Sequence, residues 1–141
     1  MNLPLIIAFF GFHDSEVKGR TRIQKEICIL EHRDSIKMNL RFKPYFYGPY
    51  SSKLSSIVDT LVSIGVLKQT IKRVGFDRHR YDYKLTKQGK KWFLSAKEAL
   101  ENSSPEVLSK MEAGIKKFET LSIPQITSLA KECSGILSKQ A

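Results

Sequence analysis

The sequence predicts a mainly α protein with a small two-stranded β element near its middle, and three observations carry that expectation. Apolar residues recur at helical spacing in six stretches bounded by Gly, Pro or Ser/Thr caps. Between positions 66 and 85 the period falls to two on either side of a glycine-bearing turn, the pattern of a hairpin. Charge is concentrated: nine Lys/Arg between Val66 and Lys91 face only Asp77 and Asp82, a net of +7 within a chain of +10, whereas residues 92–141 balance six Lys against six Glu. With 141 residues and 41% hydrophobic content, the chain can build one sizeable core and is short for two.

Pro4 suits the first turn of a helix over 3–11, where the N–H it lacks has no helical partner. Leu5, Ile6, Phe9 and Phe10 cover more than one face, so this helix should be buried, with Gly11 stopping it. The apolar run spans about ten residues, short of the ~20 a bilayer requires. It also lacks the basic flank and cleavage site of a signal peptide, so a soluble, cytoplasmic protein with no membrane partner is expected. A polar, basic connection then leads to a helix over 21–33, capped by Thr21. Ile23, Ile27 and Leu30 form its buried stripe, and Arg22, Lys25, Glu26 and Arg33 its solvated face.

Residues 41–50, RFKPYFYGPY, cannot be regular helix, because Pro44 and Pro49 push their neighbours toward extended backbone. Tyr45, Tyr47 and Tyr50 either cement this turn or present a stacking surface, and the two prolines fit the structural role better. Ser51 or Ser52 caps a helix over 52–64, buried through Leu54, Ile57, Val58 and Leu61. Lys53, Ser56, Thr60 and Ser63 share its other side. An apolar stripe that fixes the helix, opposite small polar and basic groups, is what entering a DNA groove demands, although a merely solvated face has the same pattern.

Gly65 ends that helix, and 66–71 and 80–85 suit strands, with Leu67/Ile71 and Tyr81/Tyr83/Leu85 as apolar faces and Gly75 in the turn. Thr86 caps a helix over 86–102 packed through Trp92, Phe93, Ala96 and Leu100. Ser104-Pro105 opens a helix over 105–120 with Leu108, Met111, Ile115 and Phe118 on one stripe. Pro124 opens the last, over 124–138, with Ile126, Leu129 or Ala130, Cys133 and Ile136/Leu137. The expected organisation is a unit over 1–102 and a neutral helical hairpin over 103–141, which either dimerises the protein or packs back as an extension. If it dimerises, truncation after about Asn102 leaves a folded monomer.

A pI of about 9.7 favours polyanionic partners. Cys28 and Cys133 are far apart and lack metal-ligand spacing, so reduced thiols and no metal are expected. His13, His32 and His79 are scattered and the acidic residues isolated, while GRTRIQK lacks the spacing of a phosphate-binding loop. Neither an enzyme nor a cofactor is expected.

The helix end LVSIGVL, the hairpin DRHRYDYKLT and the following LTKQG together resemble winged helix-turn-helix regulators, and the DR-x-R wing with LTxxG resembles the multiple-antibiotic-resistance type. This resemblance covers about 40 residues. It implies a wing arginine in or along the minor groove and a helix over 52–64 in the major groove. A wider resemblance, through GRTRIQKEICIL and YFYGPYSSKL over roughly residues 5–95, is to small archaeal and bacterial winged-helix proteins, some antitoxin-like. It implies the same fold without assigning an activity.

The expected fold is therefore a winged helix-turn-helix plus a C-terminal helical hairpin. The expected function is binding of double-stranded DNA by a homodimeric, nucleoid-associated transcriptional regulator. Ser52, Lys53, Ser55, Ser56 and Thr60 would face bases, and Lys72, Arg73, Arg78, Arg80 and Lys87 would meet phosphates. The alternative is an adaptor or antitoxin-like module that binds a protein partner.

Overall fold

The helices begin where the backbone chemistry allows. In the computed structural model, which describes residues 2–13, 15–46 and 48–135, Pro4 sits in the first turn of α1 (Leu3–Phe12). There follow β1 (Val17–Lys18), α2 (Arg20–His32), α3 (Ser52–Ser63), β2 (Leu67–Gly75), β3 (Arg78–Leu85), α4 (Lys87–Ser103), α5 (Pro105–Phe118) and α6 (Ile123–Ser134). The chain is mostly helical with one small antiparallel sheet. Ile136 and Leu137, expected to extend the last helix, lie outside the described residues, as does Tyr47.

Among the described residues the sheet has three strands in the order β1-β3-β2, one more than expected. Val17 pairs with Tyr83 and Lys18 with Asp82. Two residues are too few to show a period, so this strand could not be read from sequence; it forms where the free edge of β3 takes a partner and Val17 is buried. The hairpin turn also differs. Gly75 pairs with Arg78, a register shift lies between Arg73 and Gly75, and the left-handed residue is Asp77, at φ 56°. Asp tolerates that region better than most side chains.

Other expectations shift for local reasons. α2 starts at Arg20 behind Gly19 (φ 102°), not at a Thr21 cap. Gly11 lies inside α1, where the Phe93 ring occupies the space that a Cβ would fill. α6 is capped by Ser122, whose hydroxyl accepts from Gln125 N–H while the Gln125 side chain accepts from Ser122 N–H. Ile71 and Trp92 are exposed rather than packed.

One hydrophobic core joins α1, α2, the base of the sheet and both C-terminal helices. Met111, Ile115 and Phe118 of α5 and Ile126 and Ala130 of α6 are fully buried in it. The described stripes of the helical hairpin are thus spent against the chain's own α1, α2 and α4. Between α2 and α3, Ile36, Met38, Leu40 and Phe42 alternate inward while Lys37, Asn39 and Arg41 face out.

Candidate nucleic-acid interface

The position of α3 is fixed from α2. The Gln24 side chain accepts from Ser51 N–H (2.8 Å) and donates to Ser51 C=O (2.9 Å), a two-point clamp on the residue that caps α3. Ser51 Oγ accepts from Leu54 N–H and donates to Leu40 C=O. Lys25 Nζ donates to Pro49 C=O at 2.6 Å, and Gly48, at φ 107°, passes over the Lys25 stem. The two motifs of the wider resemblance therefore interlock: QK of the second helix holds GPYS. This overturns the expectation of a solvated face at Lys25 and Glu26, which are both buried, while Arg33 is exposed as expected. Glu26 accepts from Arg22 Nε (2.7 Å) and lies 3.0 Å from His13 Nε2. Burial pulls Lys25 down to about 8 from the usual 10.5.

Held this way, α3 buries Leu54, Val58 and Leu61 and turns Ser52, Lys53, Ser56 and Thr60 to solvent. The amphipathic spacing that the sequence shows is what the structure uses. Two of the candidate groups are engaged locally. Thr60 Oγ1 donates to Ser56 C=O, and Lys53 Nζ lies 3.2 Å from the Asn39 carbonyl to which it donates. Ser55 is half-buried and lines a cavity of about 240 Å³ with Arg20, Tyr45, Tyr50, Asp59 and Tyr83. Asp59 is an exposed carboxylate on the same helix that the helical spacing does not single out. Arg20 was also missed: it donates to Tyr83 Oη (2.7 Å) and stacks 4.3 Å above the Tyr81 ring.

The five basic candidates beyond α3 divide into three groups. Arg80 donates twice to Asp82, from Nε at 2.7 Å and Nη2 at 3.0 Å. Lys72 Nζ lies 3.0 Å from Glu16 and 3.6 Å from Asp82. Strand register explains this cluster, because Lys72 pairs with Arg80 across the hairpin and Asp82 is two residues further along the same face. Burial would raise the Asp82 carboxyl, but the Arg80 hydrogen bonds and charge, with Lys72, hold it below its ordinary value. The Glu16 hydrogen bond in turn raises Lys72. Two of the cations expected to meet phosphate thus neutralise carboxylates of their own chain.

Arg73 and Arg78 differ. Both are exposed near the hairpin tip, and among the described residues neither has an acidic partner. Between them in the chain lie Val74 and Phe76, 50% and 85% exposed, and Ile71 on β2 is exposed as well. Lys87 belongs to neither group. It opens α4 and lines a separate groove with Lys68, Lys84 and Lys90.

No group of His, Cys, Asp and Glu suited to a metal ion occurs among the described residues, and no helix there is long and apolar enough to cross a membrane. Both cysteines are free, Cys28 buried and Cys133 half-buried. No protein-family model and no curated protein sequence matches the chain.

Proposed function

We propose that this is a winged-helix protein that binds double-stranded DNA as a transcriptional regulator, with α3 directed at the major groove and the β2–β3 hairpin at the backbone and minor groove. The element order helix–strand–helix–helix–hairpin and the sheet order β1-β3-β2 support the winged-helix assignment. The observation that carries the function is the hairpin tip: Arg73 and Arg78 stand without acidic partners, while Lys72 and Arg80 further down the hairpin are engaged. Unpaired arginines on a projecting hairpin suit phosphates or a narrow minor groove, and an exposed Phe76 suits a wedge between base steps. Ser52 and Ser56 offer hydroxyls from the outward face of α3.

A second reading, a protein-binding adaptor, draws on Asp59, which repels a phosphate backbone, and on the apolar Ile71, Val74 and Phe76. One experiment separates the two. Binding of random and selected duplexes by the parent and by Arg73→Ala/Arg78→Ala is measured across a salt series. The DNA reading expects weaker binding to every duplex and a slope of log K against log salt reduced by about one to two units. If the double variant binds duplex as tightly as the parent at equal salt, the adaptor becomes the better account. A homodimer belongs to the DNA reading as well, but its second copy would dock away from the α5 stripe, which is already covered.

A further inference from the structure

Lys68 and Lys84 stand directly opposite each other in the β2–β3 register, both exposed. Like charges facing each other across an antiparallel pair destabilise it. Lys87 and Lys90 occupy the first turn of α4, which holds no acidic residue, so they sit at the positive end of the helix dipole. Two independent electrostatic costs therefore converge on one place. The four lysines rim a groove of about 970 Å³ whose wall includes Phe10, Leu85 and Phe93, with Leu94 at its edge and 64% exposed. Among the described residues the carboxylate on that wall is Glu16, which Lys72 engages. The four ammonium groups have no ion-pair partner among the described residues.

The groove also faces away from α3. Side chains alternate across a strand, and Tyr83, on the opposite face from Lys84, shares a cavity with Leu54, Ser55 and Val58 of α3. Lys68 and Lys84 also lie at the opposite end of the hairpin from Arg73 and Arg78, so a duplex held by α3 and the hairpin tip does not account for this cluster.

We propose that the groove is a docking site for an acidic segment of a partner protein, carboxylates meeting Lys68, Lys84, Lys87 and Lys90 and apolar side chains covering Leu85, Phe93 and Leu94. Charge complementarity calls for an anion, and the apolar wall decides which. A sugar–phosphate backbone brings charge without apolar groups and leaves Leu94 and Phe93 wet, whereas a peptide alternating acidic and apolar residues satisfies rim and wall together. The bound carboxylates also relieve the Lys68–Lys84 repulsion. The inference is independent of duplex binding by α3.

The test uses the full chain with a synthetic peptide of alternating Glu and Leu, polyglutamate and a duplex as probes. Trp92, the chain's one tryptophan and next to Phe93, supplies the fluorescence signal. The parent should bind the Glu–Leu peptide more tightly than polyglutamate. Lys68→Gln/Lys84→Gln/Lys90→Gln should weaken the peptide by about tenfold, as three lost surface charge pairs imply, leave the duplex unchanged, and melt no lower than the parent. Leu94→Ser, with every charge in place, should weaken the peptide several-fold. The proposal is overturned if the parent fails to bind the peptide, or if the triple variant binds it undiminished. It is equally overturned if the triple variant loses duplex and peptide affinity in parallel while Leu94→Ser changes neither, which would make the groove a nucleic-acid contact. Failure of the parent to bind duplex would sink the DNA reading and leave this one standing.

Discussion

The molecule contains two hairpins with opposite fates. In the helical one, α5 and α6 carry stripes at regular spacing, and Met111, Ile115, Phe118, Ile126 and Ala130 all end inside the common core. In the β hairpin, only the base is anchored: Leu67 and Tyr83 are buried, while Ile71, Val74, Phe76, Arg73 and Arg78 remain outside. An apolar stripe takes the nearest apolar surface, and here its own chain supplies one. Charge cannot follow it inside without a partner, so it is either paired, as with Arg80 and Asp82, or left exposed, as at the tip and at Lys68 and Lys84. A count of basic residues along a strand therefore overstates the charge available to a ligand.

The comparison breaks most visibly at Phe118. Its replacement by Ala should cost about 3–5 kcal/mol of unfolding free energy in denaturant titration, and truncation after Asn102 should leave no cooperative transition. A folded truncated chain would mean that the helical hairpin is an appendage after all. At the β hairpin the largest effect should be on binding. Arg73→Ala/Arg78→Ala should lower duplex affinity about tenfold at moderate salt while shifting stability by no more than about 0.5 kcal/mol.

Arg80→Ala sharpens the contrast between base and tip. It should cost stability, about 1–2 kcal/mol given a guanidinium roughly one-third exposed, with little loss of duplex affinity. The cost should also depend on pH. Because the folded Asp82 carboxyl titrates below its ordinary 3.8, its stabilisation is present above that value and disappears as the pH falls through the lowered one. The stabilities of parent and variant should therefore converge in acid.

Lys25 acts in the alkaline range. Its folded value of about 8 lies below the usual 10.5, so between them the unfolded chain holds the extra proton and stability rises with pH. Burial pushes Cys28 from 9.0 up to about 12, which has the reverse effect above pH 9. The parent should gain stability from pH 8 to 9 and then level off, whereas Lys25→Met should show no gain and decline above 9. Parallel curves for the two proteins would mean that Lys25 is not the titrating group. The smallest effect is expected at Asp59. Its change to Asn should tighten duplex binding about twofold by removing one negative charge from α3; weaker binding would point instead to a base contact through that carboxylate.

Among the described residues the six helices, the hairpin and most of the buried stripes were legible because period, caps and prolines act within a few residues. Ser51 and Thr86 cap as the sequence indicates, and Pro4, Gly65 and Pro105 fall where the backbone calls for them. The outward face of α3 could be read for the same reason. The third strand could not, since Val17–Lys18 is too short to carry a pattern. Lys25 and Glu26 were misplaced because their burial depends on Pro49, Arg22 and His13, and Pro49 is 24 positions away in the chain.

Sequence alone determined where the chain turns helical, where it forms the hairpin and where its positive charge is concentrated, because local backbone chemistry and composition decide those. Tertiary structure alone decided which charges are free. Register set Lys72 beside Arg80 and Lys68 against Lys84, and packing brought Glu16 to Lys72 across 56 positions. Whether a lysine or arginine can reach a ligand depends on what lies within a few ångströms of it, and for most of these residues those neighbours come from distant parts of the chain.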